Sequence, residues 1–152
     1  MDNRQSNLLR DCSFSSRIQF ELKRAERYRI FVSLVVFNVG SIFEGTGKNK
    51  LNTEGARTGF LRAVNSVIRE SVREIDAVSN NDSSKIGVLC PETSRQGAEA
   101  AARRIQDTLN QFCSDHFGNS GEYLIPVEIA SFPDAAGTRS IASYFDEYSN
   151  ID

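Results

Sequence analysis

The sequence predicts an α+β domain in which helices flank one mostly antiparallel central sheet, close to ferredoxin-like topology. A chain of 152 residues with 39% hydrophobic and 25% charged residues suits one soluble core. The apolar patterns follow the order α-β-α-β-β-α-β-α, and two strand–helix crossovers surround a central hairpin. This order is that of a ferredoxin-like sheet.

The predicted elements follow a polar stretch without periodicity. We expect a flexible N-terminal arm over residues 1–13 and a single domain over residues 14–152. The elements are, in order, a lead-in helix (15–29), a strand (31–39), a loop (41–52), a helix (54–73), two hairpin strands (75–78 and 86–90), a helix (94–112), a strand (123–132) and a short last helix.

Local signals support the ends of these elements. Ser15 or Ser16 can cap the lead-in helix, and Thr93 with Gln96 has the form of a capping box for the helix at 94–112. The first strand is almost wholly β-branched or aromatic, which is typical of a strand buried on both faces. Pro126 cannot donate a hydrogen bond, so the last strand should lie at an edge or carry a bulge.

Two loops carry possible binding groups. The hairpin tip, residues 79–84, is longer than a turn requires and wholly polar, as binding loops often are. The loop at 41–52 contains Gly45, Gly47 and Lys48, which invites a phosphate-loop interpretation. The full spacing of that motif and its Ser or Thr after the lysine are absent.

Charge and cysteine usage limit the classes of function. A net charge of -2 argues against a nucleic-acid binder, although 14 of the 18 basic residues are Arg. Arg suits phosphates and flat rings, but its excess can equally reflect genome composition. Cys12, Cys90 and Cys113 predict free thiols in a reducing cytoplasm. With one His and no Cys-x-x-Cys, we expect no metal site and no cofactor, and no segment predicts membrane insertion.

Five segments together resemble a known family. They are Leu-Lys-Arg-Ala-Glu-Arg-Tyr at 22–28, the strand at 32–39, the hairpin at 76–93 with its Pro-Glu-Thr end, the Ala-rich helix at 98–109 and Val-Glu-Ile-Ala-Ser-Phe-Pro at 127–133. In this order and spacing the chain resembles the GGDEF family, diguanylate cyclases that join two GTP molecules into cyclic di-GMP. The resemblance implies a GGDEF or nucleotidyl-cyclase-like fold and a bacterial signalling role.

The signature positions depart from the family pattern. Where the family has Gly-Gly-Asp/Glu-Glu-Phe, this chain has Asp82, Ser83, Ser84, Lys85 and Ile86. The metal-binding aspartate at the end of the first strand corresponds to Asn38. Phosphoryl transfer of this kind relies on Mg²⁺ held by carboxylates, which these residues do not supply. We therefore expect a pseudoenzyme that has lost its catalytic residues and metal ligands.

A second family site is retained in register. The inhibitory Arg-x-x-Asp that binds cyclic di-GMP corresponds to Arg73 and Asp76, and a further Arg of that site corresponds to Arg104. Guanidinium groups bind phosphate and stack on guanine, while a carboxylate can accept from guanine N–H groups. Arg104 and Asp107 form a second Arg-x-x-Asp, so the motif alone does not identify the site. The assignment depends on the position of Arg73 and Asp76 relative to the signature.

Two interpretations of the sequence remain. The first is a cyclic di-GMP receptor or adaptor that acts through Arg73, Asp76 and Arg104 and signals to a protein partner or a second copy. The second is a protein-interaction or dimerisation module without nucleotide, in which Arg73 and Asp76 form only a solvated ion pair. An active cyclase with altered metal ligands is a third possibility, disfavoured by Ser84 and Lys85.

Overall fold

The computed structural model describes residues 13–45, 54–79, 83–117, 123, 125–134, 137–145 and 148. The predicted arm up to residue 12, the loop residues 46–52 and Asp82 lie outside the described residues. The elements are α1 (Phe14–Tyr28), β1 (Val32–Asn38), α2 (Gly40–Gly45), α3 (Glu54–Ser71), β2 (Ala77–Val78), β3 (Lys85–Pro91), α4 (Arg95–Phe117), β4 (Val127–Phe132) and a 3-10 helix (Ile141–Tyr144).

The four strands form one sheet in the order β2-β3-β1-β4, and every pairing between them is antiparallel. The register of β1 and β3 pairs Val32 with Pro91 at one end and Asn38 with Lys85 at the other. β4 is an edge strand of the sheet, and it begins immediately after Pro126. An edge position was predicted because Pro126 has no amide hydrogen to donate. The predicted α+β class and ferredoxin-like topology are confirmed.

Alternation along β1 divides the core into two layers. Val35 and Phe37 join the apolar cluster formed with α3 and α4, which contribute Val64 and Ile105 among others. The alternate residues Val32, Leu34 and Val36 belong to a second cluster with α1 and the 3-10 helix. Six consecutive residues of β1 are buried, so the prediction of a strand covered on both faces is confirmed.

The second layer depends on a glycine in β3. A Cβ at Gly87 would stand 2.6 Å from the Tyr148 hydroxyl and 2.8 Å from Cε2 of Phe14. The two rings meet edge to face with centroids 4.8 Å apart. Gly87 therefore lets the beginning of α1 and the C-terminal segment approach the sheet closely.

Several predicted boundaries were wrong for identifiable reasons. Ser13, and not Ser15 or Ser16, caps α1, because its hydroxyl accepts from the amide of Ser16. The short helix α2 occupies part of the predicted loop at 41–52. The first hairpin strand is only Ala77–Val78, and Ile75 is 49% exposed in the turn before it.

The start of α4 also differs from the predicted capping box. The Ser94 hydroxyl accepts from the Gly97 amide at 3.2 Å, so Ser94 is the cap. The Thr93 hydroxyl instead donates to the carbonyl of Pro91 at 2.9 Å. α4 continues to Phe117, five residues beyond the predicted end. The Thr93 hydroxyl is therefore not used to cap α4.

Arginine side chains cover carbonyls at both edges of the sheet. Arg69 of α3 donates to the carbonyl of Val78 in the short strand β2 at 3.1 Å. Arg95 of α4 donates to the Ile129 carbonyl of β4 at 2.8 Å. These contacts satisfy edge carbonyls that would otherwise be open to another strand. None of the described helices combines the length and the apolar character needed to cross a bilayer.

Candidate functional site

The segment between α3 and β2 is a turn closed by Arg73 and Asp76. The Arg73 amide donates to Oδ2 of Asp76 at 2.9 Å, and the Asp76 amide donates to the Arg73 carbonyl at 3.0 Å. Nη2 of Arg73 lies 3.1 Å from Oδ1 of Asp76. The Asp76 side chain is only 6% exposed, whereas that of Arg73 is 51% exposed. The carboxylate is thus fixed within the turn while the guanidinium stays accessible.

Arg73 also joins this turn to the connection between β3 and α4. Its Nη2 donates to the Pro91 carbonyl at 3.1 Å and to the Thr93 hydroxyl. The Thr93 carbonyl in turn accepts from the buried Ser33 hydroxyl of β1 at 2.8 Å, and Ser33 lies 3.0 Å from the Ser131 hydroxyl of β4. This connection is therefore held both by Arg73, from the turn after α3, and by Ser33, from β1.

The first turns of α4 contribute the opposite wall. Gly97, Ala100, Ala101 and Arg104 all line the same cavity, and they recur at the three- and four-residue spacing of one helix face. Arg104 extends from α4 to α3, where its Nη2 donates to the Ser71 carbonyl at 3.1 Å. Because Gly97, Ala100 and Ala101 have small side chains or none, space remains between this face of α4 and Arg73.

These elements line an open surface cavity of about 380 Å³, and all three of the predicted ligand-binding residues lie in its wall. Arg73, Asp76 and Arg104 line it together with the connection residues Glu92, Thr93 and Ser94. The sequence alone did not indicate that this connection belongs to the site. The Pro-Glu-Thr sequence and the small-residue spacing on α4 were visible, but only the fold shows that they face Arg73.

Cys90 also lines this cavity, and its thiol is electrically neutral. Burial raises the pKa of Cys90 to about 12, and the Asp76 carboxylate acts in the same direction. Arg73 and Arg104 lower this pKa by a smaller amount. The charges in the cavity wall are therefore two guanidinium groups and the carboxylates of Asp76 and Glu92.

The signature residues lie at the other end of β3. Pro91 and Lys85 are six residues apart, or about 20 Å along an extended strand. Asn38 and Lys85 are cross-strand partners, and Oδ1 of Asn38 accepts from the Gly40 amide at 3.0 Å. The Ser83 hydroxyl accepts from the Lys85 amide at 3.1 Å. These polar side chains accept hydrogen bonds from backbone amides at the start of α2 and beside the hairpin tip.

Ser84 and Ile86 complete the signature positions that the structure describes. The Ser84 carbonyl accepts from the Val39 amide at 2.8 Å, and Ile86 is buried in the core. Among the described residues, no cluster of three or more His, Cys, Asp or Glu side chains is arranged to hold a metal ion.

Comparison with known structures supports the fold. No family model and no curated protein matches this chain. The active GGEEF domain of a diguanylate cyclase from Vibrio cholerae aligns with a TM-score of 0.60 at 13% identity, covering 89% of this chain and 82% of that chain. The GGDEF domain of TpbB (YfiN) from Pseudomonas aeruginosa aligns with a TM-score of 0.58 at 20% identity, covering 90% and 83%.

A third match is a diguanylate cyclase solved with a protein bound to it. SiaD from Pseudomonas aeruginosa, in complex with its activator SiaC, aligns with a TM-score of 0.57 at 14% identity over 89% of this chain and 50% of that chain. The fold defines a class, the α+β domains with a 2-3-1-4 antiparallel sheet. Within that class, the chain has a GGDEF-like fold.

Asp76 should contribute to stability even without ligand. Asp76→Ala removes a buried carboxylate that accepts from the Arg73 amide and guanidinium, so we expect a loss of about 1–3 kcal/mol in the free energy of unfolding. Asp107→Ala is the control, because Asp107 is the exposed acid of the second Arg-x-x-Asp. Urea unfolding followed by circular dichroism measures both. Equal stability of the two variants would contradict a structural role for Asp76.

Proposed function

We propose that this GGDEF-like domain is catalytically inactive and acts as a cyclic di-GMP receptor or adaptor through Arg73, Asp76 and Arg104. The observation that carries the proposal is that Arg104, distant in sequence from Arg73 and Asp76, lines one cavity with them. In the sequence, only their alignment with the family's inhibitory site linked these three residues. Their common cavity supports the same assignment from geometry.

The charges and the volume of the cavity suit one half of a cyclic dinucleotide. Arg73 and Arg104 supply forked donors for phosphate oxygens. In the described part of the chain, Arg104 donates only through Nη2, to the Ser71 carbonyl, whereas Arg73 donates through Nε and Nη2 within the site and keeps Nη1 for a ligand. A volume of about 380 Å³ lies near the lower limit of ligand pockets, so it suits one guanine with its phosphate. The other half of the ligand would extend to a second copy or a protein partner.

The proposal of inactivity depends on the residues at the other end of β3. Asn38 and Lys85 place a neutral and a positive group side by side where the family's metal ligands are carboxylates. The Asn38 oxygen already accepts from the Gly40 amide. A positive charge beside this position disfavours Mg²⁺, which such phosphoryl transfer requires.

The alternative is a protein-interaction or dimerisation module that binds no nucleotide. Phe20 and Tyr28 on α1 are each 62% exposed, and Phe31 just beyond it is 53% exposed. Such side chains suit a protein interface. Binding of an activator protein by the fold-related SiaD gives a second reason to retain this alternative. In this case the Arg73–Asp76 pair stabilises the turn and has no further role.

Arg73→Ala should weaken binding of cyclic di-GMP by about 10- to 150-fold, because it removes charge-assisted hydrogen bonds worth roughly 1.5–3 kcal/mol. Isothermal titration calorimetry with purified protein measures this loss. Arg103→Ala, one residue from Arg104 but not part of the cavity, and Ser83→Ala at the hairpin tip should bind as the wild type does. No heat with the wild type, or an unchanged isotherm for Arg73→Ala, would favour the interaction module.

The protein should not convert GTP into cyclic di-GMP, even with Mg²⁺ or Mn²⁺ in excess. The reason is the substitution of the metal-binding positions by Asn38, Ser84 and Lys85. Chromatography of the nucleotides after prolonged incubation gives the result, with heat-denatured protein as the control. Product above that control would show that the domain is an enzyme.

A further inference from the structure

The guanidinium group of Arg73 is held along one edge. Nε and Nη2 donate to the two carboxylate oxygens of Asp76, at 3.5 Å and 3.1 Å, and Nη2 also donates to the Pro91 carbonyl and the Thr93 hydroxyl. Because a guanidinium is planar, fixing Nε and Nη2 also fixes the direction of Nη1. Nη1 is therefore presented to a ligand in one defined direction.

Thr93 holds Arg73 relative to a different element than Asp76 does. Asp76 belongs to the same turn as Arg73, three residues away. It can orient the guanidinium within that turn, but it does not fix the turn relative to α4, which forms the opposite wall of the cavity. Thr93 immediately precedes Ser94, the cap of α4. Its hydroxyl therefore links Arg73 to the wall that carries Arg104.

A second contact links the same two elements in the opposite direction. Arg104 of α4 donates through Nη2 to the carbonyl of Ser71, the last residue of α3. The Arg73–Thr93 contact runs from the turn after α3 to the residue before the cap of α4. Together these two contacts set the separation of the two guanidinium groups. A compact dianion that binds both groups depends on that separation.

The position of Thr93 is itself fixed from the core of the sheet. Its carbonyl accepts from the Ser33 hydroxyl at 2.8 Å, and Ser33 is fully buried. Ser33 gives its one hydroxyl hydrogen to Thr93, so the Ser131 hydroxyl, 3.0 Å away, donates to Ser33. The Thr93 hydroxyl donates to the Pro91 carbonyl, which leaves its oxygen to accept from Arg73.

We infer that Thr93 is a positioning residue of this site, whose hydroxyl holds Arg73 at the separation from Arg104 that a dianionic cyclic dinucleotide requires. The inference rests on the proposed function and assigns a role to a residue outside the Arg-x-x-Asp motif. Thr93 acts through Arg73. Because the Pro91 carbonyl still accepts from Arg73 when the hydroxyl is absent, removal of the hydroxyl should cause a partial loss of binding.

Isothermal titration calorimetry with cyclic di-GMP on variants of the full chain tests the inference. Thr93→Val keeps the branched shape without the hydroxyl, and Thr93→Ala removes the hydroxyl and the methyl group. Both should weaken binding by about 3- to 10-fold, because the ligand must then order the Arg73 side chain. Thr93→Ser retains the hydroxyl and should recover most of the affinity. Thr58→Val is the matched control, because Thr58 is a half-buried threonine of α3 that does not line the cavity.

A double-mutant cycle distinguishes positioning of Arg73 from a general loss of stability. In an Arg73→Ala background, Thr93→Val should cause no further loss of affinity, because the residue through which it acts is absent. A loss of the same size with and without Arg73 would overturn the inference. Wild-type affinity in both Thr93→Val and Thr93→Ala, or no recovery in Thr93→Ser, would also overturn it.

The proposed function has a separate outcome in the same titrations. If the wild type binds cyclic di-GMP and Arg73→Ala weakens that binding, the proposed function stands even where the Thr93 variants overturn the inference. Absence of binding by the wild type would overturn both.

Discussion

The burial of β1 on both faces is the constraint on which the rest of the structure depends. Its alternating side chains must satisfy two apolar layers at once, so α3 and α4 cover one face while α1 and the 3-10 helix cover the other. Antiparallel pairing with β3 then fixes which residues meet at each end of the strand. The cavity lies beside the Val32–Pro91 end, and the residues that the sequence aligns with the family signature lie at the Asn38–Lys85 end.

Because the two ends of the sheet are separate, the proposed loss of one site is compatible with the proposed retention of the other. The cavity is built from the turn after α3, the connection after β3 and the first turns of α4, none of which requires the hairpin tip. At the other end, Ser83, Ser84 and Asn38 form hydrogen bonds with nearby backbone groups. The residues at the tip can therefore differ from a metal-binding set while the far end keeps its geometry.

The sequence predicted the architecture well because the signals were strong. The apolar runs of β1 and β3 and the periodicity of α3 and α4 gave the element order and, with it, the topology. Boundaries were less accurate where side chains compete for the same backbone groups. Thr93 had the form of a helix cap, but Ser94 takes that role and leaves Thr93 to Arg73.

The site was only partly predictable. Register with the family pointed to Arg73, Asp76 and Arg104, but the orientation of Asp76 into its own turn and the approach of Thr93 to Arg73 depend on the folded structure. The Arg-rich composition likewise suggested phosphate binding. In the structure several arginines donate to backbone carbonyls, namely Arg69, Arg73, Arg95, Arg104 and Arg139. Much of the arginine content therefore has a structural use.

The most direct test of a receptor role is to map which backbone amides respond to the ligand. Titration of ¹⁵N-labelled protein with cyclic di-GMP, followed by amide chemical shifts, distinguishes the two ends of β3 in one measurement. The account predicts the largest shifts at Arg73, Asp76, Thr93 and Gly97, around the cavity, with Asn38 and Lys85 unchanged. Shifts concentrated at Asn38, Ser84 and Lys85, or absent throughout, would contradict it.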